Sequence, residues 1–163
     1  MKILCVCYSL TGKTKKAAEK LAEVMKTEEF DIAEIKEKHP KNRKGALGML
    51  RSGMDAMSNR TSPVTVDMPN GIEHYDVVIV AAPVWAGRCA SPVRSFLKLH
   101  GSELKAPAYL ITRASEKNDY AQVFEQMDKY TAEPHKYAVS IRYGSTDYLV
   151  KLYGFAGKLT GTK

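Results

Sequence analysis

The sequence predicts an α/β fold: a doubly wound, five-stranded parallel sheet with helices on both faces. Three observations carry that reading. Short β-type apolar runs alternate with segments of helical period along the whole chain. The strongest run, Tyr75 to Ala82, is apolar without alternation, as when both faces of a strand are covered by helices. Strand–helix alternation of this kind favours a parallel sheet, and right-handed crossovers leave only a few doubly wound orders.

Lys2 to Tyr8 reads as the first strand, a continuous apolar run. Residues 13–26 follow as a helix, because Ala17, Ala18, Leu21, Ala22, Val24 and Met25 recur at three- and four-residue spacing. Glu29 to Ile35 is a weaker second strand. The stretch 36–74 is the irregular part, with Pro40, Pro63, Pro69 and the turn pair Asn70-Gly71. Within it Leu47, Leu50, Met54 and Met57 fall at steps of three, four and three, the spacing of an amphipathic helix whose apolar stripe packs on the sheet. After the 75–82 strand, Ser91 to His100 is a helix with Pro92 in its first turn. Pro107 to Thr112 and His135 to Ile141 are strands, and 117–130 and 146–158 are helices. Repeats and low-complexity tracts are absent, and residues 1–163 read as one domain.

Composition narrows the function classes. Of the residues, 44% are hydrophobic and 26% charged, which suits a globular chain and not a disordered one. No apolar stretch is long enough to span a bilayer, and the opening residues lack the form of a secretory signal. Cys5 and Cys7 lie two apart on one strand, about 6.5–7 Å between α-carbons and too parallel to bridge. With Cys89 they make three cysteines, no disulfide framework. A reducing, cytoplasmic setting follows as the expectation. The net charge is +7. Between Lys36 and Arg60, seven basic residues (Lys36, Lys38, Lys41, Arg43, Lys44, Arg51, Arg60) face only Glu37 and Asp55, so this segment alone carries +5. Nucleic acid is not the expected partner, because no aromatic residue is interleaved to stack on bases. His39, His74, His100 and His135 are scattered without metal-ligand spacing.

Ligands of open parallel sheets sit beyond the carboxyl ends of the strands. After the first strand comes Ser9-Leu10-Thr11-Gly12-Lys13-Thr14 and then a helix. Hydroxyls, a glycine and backbone N–H groups at a helix N-terminus make a cradle for a phosphate; an ordinary capped turn has the same composition. A nucleotide P-loop is excluded, because its first glycine would fall at Cys7. No G-x-G-x-x-G follows the strand, and a phosphate-accepting receiver domain would need acids where Tyr8 and Ser9 stand. After the strongest strand come Pro83, Val84, Trp85, Ala86, Gly87 and Arg88. A flat tryptophan beside small residues can wall a slot for a planar ring, with backbone groups free to bond the ring edge.

Taken together, these stretches resemble the flavodoxin family, in particular its short single-domain bacterial members. The S-x-T-G-x-T of Ser9 to Thr14 is similar to the family's phosphate loop. Tyr75 to Val80 leading into Pro83-Val84-Trp85-Ala86-Gly87-Arg88 looks like its flavin-ring loop. Ser91 to Leu97 and Leu50 to Ala56 resemble the family's helices at these places. The resemblance implies a flavodoxin-like sheet in the strand order 2-1-3-4-5, for which flavodoxin is itself a standard example. It implies FMN as cofactor, with Ser9, Leu10, Thr11, Gly12, Lys13 and Thr14 at the phosphate. Pro83, Val84, Trp85, Ala86 and Gly87 would lie at the isoalloxazine, with the Ala86-Gly87 peptide toward flavin N5. In the family a third loop follows the fourth strand with Thr-Cys-Gly-Gly-like residues. Here it reads Thr112-Arg113-Ala114-Ser115, without glycine, and Arg113 is expected either to face the reduced ring or to be solvated.

The implied function is an FMN-binding electron-transfer protein or oxidoreductase, working with a redox partner protein or with NAD(P)H and a quinone-type small molecule. The flavin would perform the redox step, so no catalytic side chain is needed. A quinone reductase would need an open slot over the ring, often at a homodimer interface, which Tyr120 and the 43–57 helix could line. The basic charge would attract acidic partners. The alternative is a flavodoxin-fold binding module with weak or no FMN affinity, acting through its basic 36–60 segment on an anionic partner or a membrane surface. Cys89, beside Arg88, is a minor candidate for a reactive thiol.

Overall fold

The computed structural model describes residues 1–26, 28–40 and 42–161; Lys41 of the basic segment lies outside them. Its elements are β1 (Lys2–Cys7), α1 (Lys13–Val24), β2 (Glu29–Glu37), α2 (Gly45–Met57), β3 (Val64–Val66), β4 (Val77–Trp85), β5 (Arg88–Cys89), α3 (Ser91–His100), β6 (Ala108–Thr112), α4 (Gln122–Asp128), β7 (Tyr137–Ile141) and α5 (Tyr148–Thr160).

Among the described residues the sheet has seven strands in the order β3-β2-β1-β4-β6-β7, with β5 paired to β4 alone. This corrects the expectation of five strands in the order 2-1-3-4-5. The β1–β2, β1–β4, β4–β6 and β6–β7 pairs are parallel. The two additions are antiparallel: β3 pairs with β2, and β5 folds back on β4. Three- and two-residue strands carry almost no periodic signal, so the sequence could not announce them.

Alternation along the central strands divides the core. Leu4 and Val6 of β1, with Val78 and Val80 of β4, face Val93, Phe96 and Leu97 of α3 and Val123 and Met127 of α4. Ile3, Cys5 and Cys7, with Ile79 and Ala81, face Ala17, Ala18 and Leu21 of α1 and Leu152 and Phe155 of α5. Leu21 is fully buried, so Leu21→Ala would leave a cavity costing about 2–5 kcal/mol. Residues 117–121 do not join α4. Ser115 Oγ accepts from Asn118 N–H, Asn118 Oδ1 from Tyr120 N–H, and Asp119 Oδ1 from Ala121 N–H. These short polar side chains give the backbone bonds that compete with a helix.

The helix read at 47–57 exists, but it is inside out. It buries Gly48, Ser52, Asp55 and Ala56, while Leu47, Leu50, Met54 and Met57 are 55–72% exposed. The expectation that this apolar stripe packs on the sheet is therefore corrected. Polar anchors seat the helix instead. Arg43, just before α2, donates from Nη1 to Asp55 and Ser52 at 3.0 and 3.3 Å. Beyond its other end, the buried Arg94 of α3 donates to the carbonyls of Ala56, Arg60 and Cys89 at 3.1, 2.9 and 3.3 Å. A cation on C-terminal carbonyls also suits the helix dipole. Gly48 is required here, since a Cβ at that position would sit 2.0 Å from the Arg43 carbonyl carbon.

Candidate functional site

The registers bring three strand ends to one edge of the sheet. Cys7 of β1 lies opposite Ala81 of β4, and Pro83 of β4 lies opposite Thr112 of β6. The loops after these strands therefore meet, and between them lies a cleft of about 350 Å³. Its walls include nine residues singled out by the sequence: Leu10, Thr11, Lys13, Thr14, Pro83, Val84, Trp85, Thr112 and Arg113. Four others, Ser9, Gly12, Ala86 and Gly87, stand beside it in the same loops without forming its wall. Met49, Ser52, Ala114 and Tyr143 complete the lining and were not identified as site residues. Helical period already placed Met49 and Ser52 on the helix thought able to line a slot. Tyr120 is not in the wall; its ring lies beside Gly87.

At the β1 end the loop leads into an uncapped helix N-terminus. Gly12 is the N-cap of α1 with φ +86°, a left-handed conformation that a residue with a Cβ adopts only at a cost. No side chain caps the helix, and its first turn has no acidic residue. The leading N–H groups and the positive end of the dipole are thus left for a ligand. Ser9 Oγ is buried with no hydrogen-bond partner, although buried hydroxyls nearly always have one. A phosphate oxygen would satisfy it. Lys13 lines the cleft from the first helical position. At the floor, Thr14 Oγ1 and Thr112 Oγ1 share a buried 2.7 Å hydrogen bond that ties this loop to the end of β6.

At the β4 end the chain turns tightly. Ala86 (φ +49°) and Gly87 (φ +72°) connect β4 to β5, and the register pairs Trp85 with Arg88 and Val84 with Cys89. Two left-handed residues in a two-residue hairpin match the twist of the flanking strands. Trp85 is half-buried: it lines the cleft and packs against the edge of the core. Tyr8 meets its ring edge-on with centroids 5.6 Å apart, and the Arg43 guanidinium lies 5.0 Å from its centroid.

Behind Trp85 lies a buried ionic network. Arg43 donates to Glu37 from both Nε and Nη2, at 3.1 and 2.8 Å, and to Asp55 at 3.0 Å. The three side chains are 1%, 6% and 3% exposed. Burial, and then the nearby Glu37, push the Tyr8 phenol up to about 12. In the sequence Arg43 is one of seven basic residues of the 36–60 segment; its role depends on two acids six and twelve residues away, which only the fold brings together.

Arg113 is half-buried in the cleft wall, and hydrogen bonds hold it in place. It donates from Nε to Ser140 at 3.1 Å and from Nη1 to the Ser115 carbonyl. Its backbone N–H bonds to Ile141 across β7. Cys89, the last residue of β5, is 2% exposed against the core, and burial holds its thiol up at about 11, so the reactive-thiol expectation is corrected. Cys5, Cys7 and Cys89 are all free thiols.

Solved structures share this architecture. A flavoprotein from Lactobacillus acidophilus, crystallised in complex with FMN, superposes with TM-score 0.71 at 21% identity, covering 94% of this chain and 98% of that one. A protein from Bacteroides eggerthii taken to be a flavoprotein gives 0.72 at 22% identity, with 99% of each chain covered. An oxidoreductase from Corynebacterium diphtheriae gives 0.52 at 14% identity, covering 99% and 96%. At these identities the likeness shows the fold alone. No curated protein matches the sequence. The family model for flavodoxin matches residues 2–124, most of the chain, and with that match the chain belongs to the flavodoxin family.

Proposed function

We propose that this chain binds FMN in the cleft and acts as an electron-transfer protein or oxidoreductase. The observation that carries the reading is the meeting, in one cleft, of an uncapped helix N-terminus beside the orphaned Ser9 hydroxyl with a slot walled by Trp85. One end suits a dianion and the other a flat aromatic ring, which is the chemistry of a flavin mononucleotide. The FMN complex of the Lactobacillus acidophilus protein supports the same choice.

In this reading the α1 amides, Ser9, Thr11, Lys13 and Thr14 hold the phosphate. Pro83, Val84, Trp85, Ala86 and Gly87 would flank the ring, with Thr112 and Arg113 in the same cleft. FMN, when bound, supplies one- and two-electron redox chemistry. The protein's part is to orient the ring against Trp85 and to offer backbone N–H groups at the Ala86-Gly87 turn. Arg113 brings a fixed positive charge to the wall, which favours a more negative ring. The electron source and sink are a redox partner protein or small molecules of the NAD(P)H and quinone type. The setting is cytoplasmic and reducing, consistent with three buried free thiols. No helix among the described residues is long and apolar enough to cross a membrane.

The test is an absorption spectrum of the purified protein, then titration with FMN and FAD in low-phosphate buffer. Saturable FMN binding at about micromolar affinity or tighter, with weaker FAD binding, supports the proposal. A folded protein with no FMN binding at about 100 μM, an affinity weaker than about 5–6 kcal/mol, overturns it.

A further inference from the structure

The α2 surface exposes a row of large apolar side chains. At 3.6 residues per turn, Leu47, Leu50, Met54 and Met57 fall on one side of the helix, opposite its buried Gly48, Ser52, Asp55 and Ala56. The small and polar residues face inward and the large apolar ones face out, the reverse of a helix seated on a sheet. The ridge runs about 15 Å along the helix.

The segment that carries the ridge exposes charge of one sign. Within 36–60 both carboxylates are withdrawn into the interior, where Glu37 and Asp55 pair with Arg43. Among the described residues, the segment's exposed charges are Lys36, Lys38, Lys44, Arg51 and Arg60, all positive. Arg60 approaches the buried Asp55 only to 3.8 Å and remains 65% exposed. The tertiary structure thus turns a segment of mixed charge into a basic face with an apolar ridge along it.

We propose that α2 is a membrane-surface helix, which seats the protein on an anionic lipid bilayer with the Leu47-Leu50-Met54-Met57 ridge among the acyl chains. Lys44 and Arg51 flank the ridge and meet lipid phosphates, their aliphatic stems lying along the apolar boundary. A second copy of the chain is disfavoured as the cover, since a two-fold contact would set this basic face against itself. An acidic protein is the weaker fit, because the ridge has no aromatic anchor of the kind that dominates protein interfaces. Fluid acyl chains, by contrast, accept a row of protruding Leu and Met without a matching pocket. Met49, on the flank of the same helix, lines the cleft, so seating α2 brings the cleft mouth to the lipid surface. The inference does not depend on the occupant of the cleft.

Flotation of the full chain with vesicles tests it. Vesicles of phosphatidylcholine with phosphatidylglycerol are expected to carry the protein at low salt, less so as salt rises, while pure phosphatidylcholine vesicles do not. The variant Leu50→Gln/Met54→Gln/Met57→Gln changes only exposed side chains. It should keep the native circular dichroism and melting temperature and reduce vesicle binding by about tenfold or more. Lys44→Gln/Arg51→Gln should reduce it on the order of 10- to 30-fold. No flotation with the anionic vesicles overturns the proposal, whether sedimentation then shows a dimer or a monomer. Flotation that the triple variant leaves intact overturns it too, since net charge alone would then account for binding.

Discussion

The guanidinium of Arg43 lies 5.0 Å from the centroid of the Trp85 ring, and Glu37 and Asp55 hold the same arginine from behind. One buried cation thereby joins the end of β2, the inner face of α2 and the aromatic wall of the cleft. Removing one partner from a buried ion pair strands the others in low dielectric. Arg43→Met is expected to destabilise the protein by about 3–5 kcal/mol in urea denaturation and to alter Trp85 fluorescence. The triple change Glu37→Gln/Arg43→Met/Asp55→Asn should recover most of the lost stability, because the carboxylates then need no counter-ion. A cost under about 1 kcal/mol for Arg43→Met would show that the network contributes little.

Ser9 is the cleanest probe of the phosphate loop. Its hydroxyl is buried and without a partner in the protein alone, so Ser9→Ala removes nothing the apo fold uses. Thermal stability without ligand should be unchanged or slightly higher. FMN affinity should fall about 10- to 100-fold, the worth of one hydrogen bond to a charged group. Equal FMN affinity in titrations of wild type and variant would place the phosphate elsewhere.

Thr14 and Thr112 join two cleft loops that are 98 residues apart in sequence. A double-mutant cycle with Thr14→Val and Thr112→Val is expected to give a coupling of about 1 kcal/mol in unfolding free energy. Each single change should cost more than half of what the pair costs, because each leaves a buried hydroxyl without its partner. Additive costs would mean that the two hydroxyls do not bond.

Alkaline pH should weaken the fold. Burial raises the Cys89 thiol to about 11 and the Cys7 thiol and Tyr8 phenol to about 12. In the unfolded chain these groups lose their protons at lower pH, so above about pH 9 the unfolded state binds fewer protons than the native state. Stability is then complete below that pH and declines as pH rises toward 11–12, as urea midpoints measured across the range would show. At pH 8 the buried Cys89 should react with an alkylating reagent on the order of 100-fold more slowly than a free thiol, with urea restoring the ordinary rate.

The alternation of strands and helices, the loops at their carboxyl ends and the family resemblance were all legible in the sequence. These are local properties: a run of β-type residues, an apolar residue every three or four positions, a glycine before a helix. Nine of the thirteen residues singled out for the cofactor form the cleft wall for the same reason, since a motif at a strand end travels with its strand. What the sequence left undetermined is non-local. The β3 and β5 strands are too short to show a period and exist only because a neighbouring edge accepts them. Periodicity located α2 correctly but could not say which face turns inward. Burial of the face bearing Gly48, Ser52, Asp55 and Ala56 is decided by Arg43, which collects Glu37 and Asp55 from different elements and takes the segment's negative charge out of solvent. Long-range pairing of that kind follows from tertiary geometry, because no spacing along the chain encodes which of seven basic residues will be buried.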